Sequence, residues 1–228
     1  MMESAESEVF QDRREAGRIL AEEVCAYLRD IGVTDRPLVL GLPRGGLPIA
    51  QEIAESVHGD LDVSVARKIG FPAQPEFGIG AVTADGPARF SQETLRQVGL
   101  TEADLTADVQ REREEARRRL RRYRGDRELP RIADRTVIVA DDGVATGVTS
   151  MAALQDVRAK GPRNLIFAAP ACAKEATQLL ASEADKVLCL RVPDYFGAVG
   201  AWYRDFEQLT DDDVEAILSR SWAAAPSR

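Results

Sequence analysis

The chain has 228 residues and a mass of 24.9 kDa. That is the size of one compact domain, able to bury about 70% of the surface its unfolded chain exposes. Thirty Lys plus Arg against 38 Asp plus Glu leave a net charge of −8. This disfavours a nucleic-acid-binding role for the chain as a whole and generic adhesion to an acidic membrane, and any anion site must be built locally.

Residues 1–12 are acidic and polar, with no export or transit pattern. No apolar run approaches the ~18 residues of a membrane span, so a cytoplasmic protein is expected. Leu20, Val24, Tyr27, Leu28 and Ile31 recur at helical spacing, with Gly32 placed to end the helix. The run 37–41 reads as a buried strand, followed by the turn Leu42-Pro43-Arg44-Gly45-Gly46 and a helix over 48–57. His58, at the end of that helix, reads as a surface residue. A second strand is predicted over 61–66. The Gly- and Pro-rich stretch 67–80 reads as a long mobile loop, and 81–90 as a hairpin around Asp85-Gly86.

Thr101 and Asp104 form a capping-box pattern ahead of a long helix. Its apolar stripe is Leu105, Val109, Ala116, Leu120 and Tyr123. Residues 111–135 hold eleven Arg and six acids, so this stretch is +5 while the rest is −13. Glu114 with Arg118 and Glu115 with Arg119 are i,i+4 pairs. The helix reads as a solvated surface, or as a contact with a partner subunit or a phosphate-rich ligand. Residues 135–140 are the strongest strand, followed by a helix over 150–160. Strands over 164–169 and 186–192 flank a helix over 175–182, and Thr210 with Asp213 caps a final helix. Cys25, Cys172 and Cys189 are far apart without CxxC spacing. This excludes a disulfide scaffold, argues against zinc and predicts small buried hydrophobes. Alternating strands and helices imply an α/β fold, a parallel sheet flanked by helices, with ligands beyond the C-terminal strand ends.

The segment 137–149, VIVADDGVATGVT, carries the chemistry. A strand delivers Asp141 and Asp142 to the sheet edge. Small or hydroxylated residues then lead into a helix. Converging backbone N–H groups, the helix dipole and Thr hydroxyls suit a phosphate. Two carboxylates would repel that phosphate, but they accept hydrogen bonds from sugar hydroxyls. A sugar phosphate is the ligand this combination fits.

Four apolar residues, two acids and a short Ala-Thr-Gly-x-Thr loop resemble the diphosphoribosyl-binding signature of the type I phosphoribosyltransferases. Residues 40–46 (LGLPRGG) are similar to that family's diphosphate loop, which often holds a cis peptide before its basic or polar residue. Arg67-Lys68 heads the stretch matching the family's flexible lid. Val192-Pro193-Asp194-Tyr195-Phe196, with Trp202, Tyr203 and Asp205, resembles the hood over the acceptor. The resemblance implies a single Rossmann-like domain spanning 1–228. Its core covers about 36–190, its hood comes from the N-terminal helix and about 191–228, and an Arg-rich helix is inserted at about 91–130.

The resemblance further implies Mg²⁺-dependent transfer of a 5-phosphoribosyl group from phosphoribosyl diphosphate to a nitrogenous acceptor. Gly143, Ala145, Thr146, Gly147, Val148 and Thr149 would hold the 5-phosphate. Asp141 and Asp142 would bind the ribose hydroxyls and orient the metal indirectly, since Mg²⁺ keeps several waters. Arg44, Gly45 and Gly46 would bind the diphosphate. Lys68 would stabilise the leaving group or stand as an exposed loop lysine, and Phe196, Trp202 and Tyr203 would stack the acceptor or pack as core. Nucleoside monophosphates are the expected products, and a homodimer the expected assembly.

Two positions depart from the 6-oxopurine-salvaging branch. Ala145 stands where that branch carries an acid, and Ala169-Pro170-Ala171 where it carries a lysine; the first lysine is Lys174. The alternative reading is a non-catalytic regulator that binds nucleotides or phosphoribosyl diphosphate.

Overall fold

A computed structural model describes residues 9–224. Residues 1–8, which hold most of the acidic N-terminal stretch, and 225–228, the end of the expected hood, lie outside the described residues. Eight strands run in chain order: β1 (Leu38–Gly41), β2 (Asp60–Val63), β3 (Ala66–Phe71), β4 (Gln74–Thr83), β5 (Arg89–Phe90), β6 (Thr136–Ala140), β7 (Asn164–Ala171) and β8 (Lys186–Arg191). The helices are α1 (Arg13–Asp30), α2 (Gly46–Ser56), α3 (Gln92–Val98), α4 (Thr106–Arg124), α5 (Val148–Arg158), α6 (Lys174–Leu180) and α7 (Asp211–Ala224).

The main sheet is parallel, in the order β2-β1-β6-β7-β8. Its central strands are buried on both faces, which explains their unbroken apolar runs. Alternation along β6 sends Ile138 and Ala140 to a core shared with α1, α2 and α7. Val137 and Val139 face the opposite core, with α5 and α6. No helix among the described residues is long and apolar enough to cross a membrane.

Residues 67–80, expected as a mobile loop, instead form most of β3 and β4, which join β5 in an antiparallel sheet. The glycines that suggested a loop serve close backbone approach. A Cβ on Gly70 would meet Pro75 O at 2.2 Å, and one on Gly80 would meet Arg89 O at 2.5 Å. The expected hairpin around Asp85-Gly86 is the β4–β5 pairing. Thr101 and Asp104 do hydrogen-bond, but at a 3-10 turn (Ala103–Leu105) that precedes α4, and α3 is an additional helix. At α7 the expected box is complete: Thr210 N donates to Asp213 Oδ2, and Asp213 N donates to Thr210 Oγ1.

Five of the eight arginines of α4 are exposed, yet several reach tertiary partners. Arg113 donates to Gly86 O and Arg117 to Ala84 O, holding the β4–β5 turn. Arg122 binds Asp211, Asp212 and Glu215 on α7. Arg118 pairs with Glu115 rather than Glu114, and Arg119 joins it. The two guanidiniums hold the Glu115 pKa down to about 2. One side of the helix thus clamps the small sheet, β2 and α7, while the other remains the expected solvated face.

The cysteines differ from expectation. Cys172 is fully buried, but Cys25 and Cys189 are half-buried. Cys172 and Cys189 are joined as a disulfide, with Cα atoms 6.3 Å apart. Seventeen positions separate them in sequence; parallel pairing of β7 with β8 brings them together. His58 is exposed, as expected.

The deepest clamp is Arg124 with Asp62, whose side chains are 9% and 3% exposed. Arg124 also donates to Val63 O at 3.0 Å. Arg124→Met is expected to lower the unfolding free energy by about 3–5 kcal/mol in urea titrations at neutral pH, because it strands a buried carboxylate. Burial raises the Asp62 pKa, and Arg124 opposes that rise. Without Arg124 it rises further, so the folded variant binds a proton more tightly than its unfolded chain. The deficit is therefore largest above the raised folded pKa and shrinks as pH falls through it. Adding Asp62→Leu is expected to recover most of the loss.

Candidate functional site

Strands β1 and β6 are neighbours in register, with Gly41 opposite Ala140. Their following loops therefore leave the C-terminal edge side by side. Leu42 N donates to Ala140 O at 2.9 Å, and Gly46 N to Leu42 O at 2.9 Å. The Pro43–Arg44 peptide is cis. A Cβ on Gly45 would lie 1.8 Å from Asp142 Oδ2, and one on Gly46 would lie 2.5 Å from Ala140 O. Only glycine lets these two loops touch here.

The two aspartates are held differently. Asp141 N donates to Ala168 O. Its Oδ1 accepts from Asp142 N at 2.9 Å and its Oδ2 from the Ser150 hydroxyl at 3.2 Å. Burial, and then the neighbouring Asp142 charge, push its pKa well above the usual carboxylate range. Asp142 Oδ2 accepts from Arg13 Nε at 2.8 Å, and its backbone carbonyl accepts from the Tyr203 hydroxyl. Burial pushes the Tyr203 phenol up, so it remains a donor.

Beyond the acids, Gly143 lies under Val199, where a Cβ would approach Cγ1 to 2.6 Å. Val144 N donates to Ala171 O, and Ala173 N to Val144 O, tying the loop to β7. Ala145 and Thr146 are exposed, and Thr149 is half-buried. Gly147 adopts φ 76° just before α5, and its carbonyl accepts from Met151 N. Among the described residues, no group accepts a hydrogen bond from the N–H groups of residues 145–150. These free donors, at the start of an 11-residue helix, make an anion cradle.

The structure thus brings together Gly45, Gly46, Asp141, Asp142 and the loop 143–149. Other expected site residues stand differently. The Arg44 guanidinium approaches Asp211 at 3.7 Å and is one-third exposed. Lys68, expected on a mobile lid, lies within β3; its ammonium donates to Glu76 O at 2.8 Å. Phe196, expected either to stack an acceptor or to pack as core, is buried; its ring stacks on Trp202 at 5.9 Å, and Trp202 Nε1 donates to Phe196 O. Both aromatics pack the hood.

Arg13 and Ser150 were missed by sequence reasoning, and Tyr203 was read only as an aromatic. Ser150 follows the motif directly and was legible as a further hydroxyl. Arg13 precedes Asp142 by 129 positions, and no local pattern links them. Among the described residues, no three His, Cys, Asp or Glu side chains converge to hold a metal. The hard oxygen donors beside the cradle are Asp141 and Asp142.

The family model described as a phosphoribosyl transferase domain matches residues 15–206. Two curated proteins from Mycobacterium tuberculosis strains CDC 1551 / Oshkosh and ATCC 25618 / H37Rv are named, provisionally, as phosphoribosyl transferases. Each is 40% identical over 213 residues, covering 93% of this chain and 47% of its own length. The chain therefore spans about half the length of these curated relatives. The crystal structure of the protein TT1426 from Thermus thermophilus is 43% identical, covers 93% of this chain and 98% of its own, and superposes with a TM-score of 0.77.

Because a methyl group at position 45 would overlap the Asp142 carboxylate, Gly45→Ala is expected to cost about 1–3 kcal/mol of stability as the loops separate. Urea unfolding of the variant checks this; an unchanged midpoint would mean that the loop yields without cost.

Proposed function

Because this chain belongs to the phosphoribosyl transferase domain family, we propose that it transfers the 5-phosphoribosyl group of phosphoribosyl diphosphate to a nitrogenous acceptor. Diphosphate is released and the product is a nucleoside monophosphate or a similar ribotide. The observation that carries this reading is the acidic pair set between two loops that suit anions. On one side are the N–H groups of residues 145–150, which have no partner among the described residues. On the other are Gly45 and Gly46, pressed against Asp142 and Ala140.

In this reading residues 143–149 grip the 5-phosphate, while Asp141 and Asp142 accept hydrogen bonds from the ribose hydroxyls. The backbone of Gly45 and Gly46 faces the diphosphate. Arg44 would exchange Asp211 for the diphosphate; their 3.7 Å, partly exposed pair is a weak hold. As the C1–O bond breaks, negative charge grows on the leaving diphosphate, and these donors stabilise it. Lys68 would contribute only after releasing Glu76 O. With Phe196 and Trp202 packed on each other, the acceptor's identity rests with other hood residues.

Asp141 and Asp142 suit a hard cation, and two carboxylates are enough for Mg²⁺ shared with substrate oxygens and water. Bound there, Mg²⁺ would supply Lewis-acid neutralisation of the diphosphate.

Calorimetry with phosphoribosyl diphosphate, with and without Mg²⁺, tests the proposal, followed by a diphosphate-release assay over a panel of nitrogenous bases. Binding that strengthens with Mg²⁺ is expected, and Asp141→Asn is expected to weaken it about tenfold by removing an ionic acceptor. Absence of binding under both conditions would overturn the reading. Binding without turnover on any acceptor would favour the regulator.

A further inference from the structure

The acidic pair has a partner that comes from the far end of the chain. Arg13 lies in the first turn of α1, where a cation opposes the helix dipole. A residue placed against its local preference is held there by tertiary partners. The Arg13 side chain is 11% exposed and that of Asp142 14%, so the pair is shielded from water. Three contacts fix the guanidinium. Nε donates to Asp142 Oδ2 at 2.8 Å, Nη1 donates to Glu207 O at 2.9 Å, and Cζ lies 3.8 Å from the centre of the Phe206 ring. The stack and the carbonyl orient the fork, and the fork orients the carboxylate.

This arrangement answers a physical problem at the site. Two adjacent carboxylates repel each other, and both repel an incoming phosphate. Asp142 also presses against the Gly45 loop, so its carboxylate has little room. We infer that Arg13 is a positioning residue. It supplies the counter-charge and the orientation that keep the acidic pair open to ribose hydroxyls, and it couples that grip to the hood. Phe206 and Glu207 hold Arg13 from the C-terminal side. Phe10, three positions before it, exchanges backbone hydrogen bonds with Trp202 and Arg204. The inference rests on the sugar-phosphate reading above, and it assigns the selection of ribose over deoxyribose to a residue outside the signature loop.

The test uses the full chain with Mg²⁺ and three probes: ribose 5-phosphate and its 2-deoxy and 3-deoxy analogues. The wild type is expected to prefer ribose 5-phosphate to at least one deoxy sugar by about tenfold, the worth of a hydrogen bond to a charged group. Arg13→Gln is expected to reduce that preference to within about twofold while leaving the deoxy sugar's Kd nearly unchanged, because the phosphate cradle is intact. Arg13→Lys keeps the charge but loses the fork, and should retain a preference of about threefold.

A purely structural role would weaken all three ligands alike. That result, or an undiminished preference in Arg13→Gln, would overturn the inference. If Arg13→Gln does not fold, Arg13→Lys decides: a full wild-type preference overturns the inference, and a partial one supports it. A wild type that binds none of the sugar phosphates would overturn the parent reading instead, and Arg13's role with it.

Discussion

The parallel pairing of β1 with β6 is the constraint on which the rest of the site depends. It places two loops, nearly a hundred residues apart in the chain, at adjacent points on one sheet edge. Leu42 N donating to Ala140 O continues the ladder one step beyond the strands. From there the backbones converge until Gly45 meets Asp142. Any side chain at position 45 would separate them. The glycines are therefore required by contact between two loops, and their freedom to accommodate an anion follows from the same bareness.

Charge is organised around this contact. The chain is acidic overall, and its basic helix is solvated on one side and tied into the fold on the other. Four of its guanidiniums, those of Arg113, Arg117, Arg122 and Arg124, are committed to carbonyls and carboxylates near the small sheet, β2 and α7. Near the site the positive potential comes instead from backbone amides at the start of α5, from Arg44 in its loop and from Arg13 against Asp142. Helix α4 still acts on the site at one remove. Its Tyr123 hydroxyl donates to Asp211, the carboxylate that Arg44 approaches. Helix α4 and the loop 42–46 thus meet at the first turn of α7.

The hood is assembled from both ends of the chain. Phe10 forms a bridge with Tyr203, and their rings lie 5.8 Å apart. Tyr203 in turn donates to the Asp142 carbonyl. Where the chain ends zip together, Phe196 and Tyr203 are buried and Trp202 is half-buried. An aromatic-rich segment after the last strand was legible. Which faces of those rings remained free was not, because that depends on a segment nearly two hundred positions away.

Local patterns were enough to read the parallel strands, the helices between them and the acidic loop. Those features arise from residues close in sequence: apolar runs buried on both faces, and small residues leading into a helix start. The signature loop also carried the family. Tertiary structure alone decided that the Gly- and Pro-rich stretch pairs as β3 and β4, that Cys172 joins Cys189, and which remote groups Arg113, Arg117, Arg122 and Arg124 meet. It alone placed Arg13 on Asp142. Each of these is a contact between distant segments, and its partner is chosen by strand order and packing. Periodicity and spacing record what a residue's neighbours in the chain require of it; only the folded chain determines which remote group it meets.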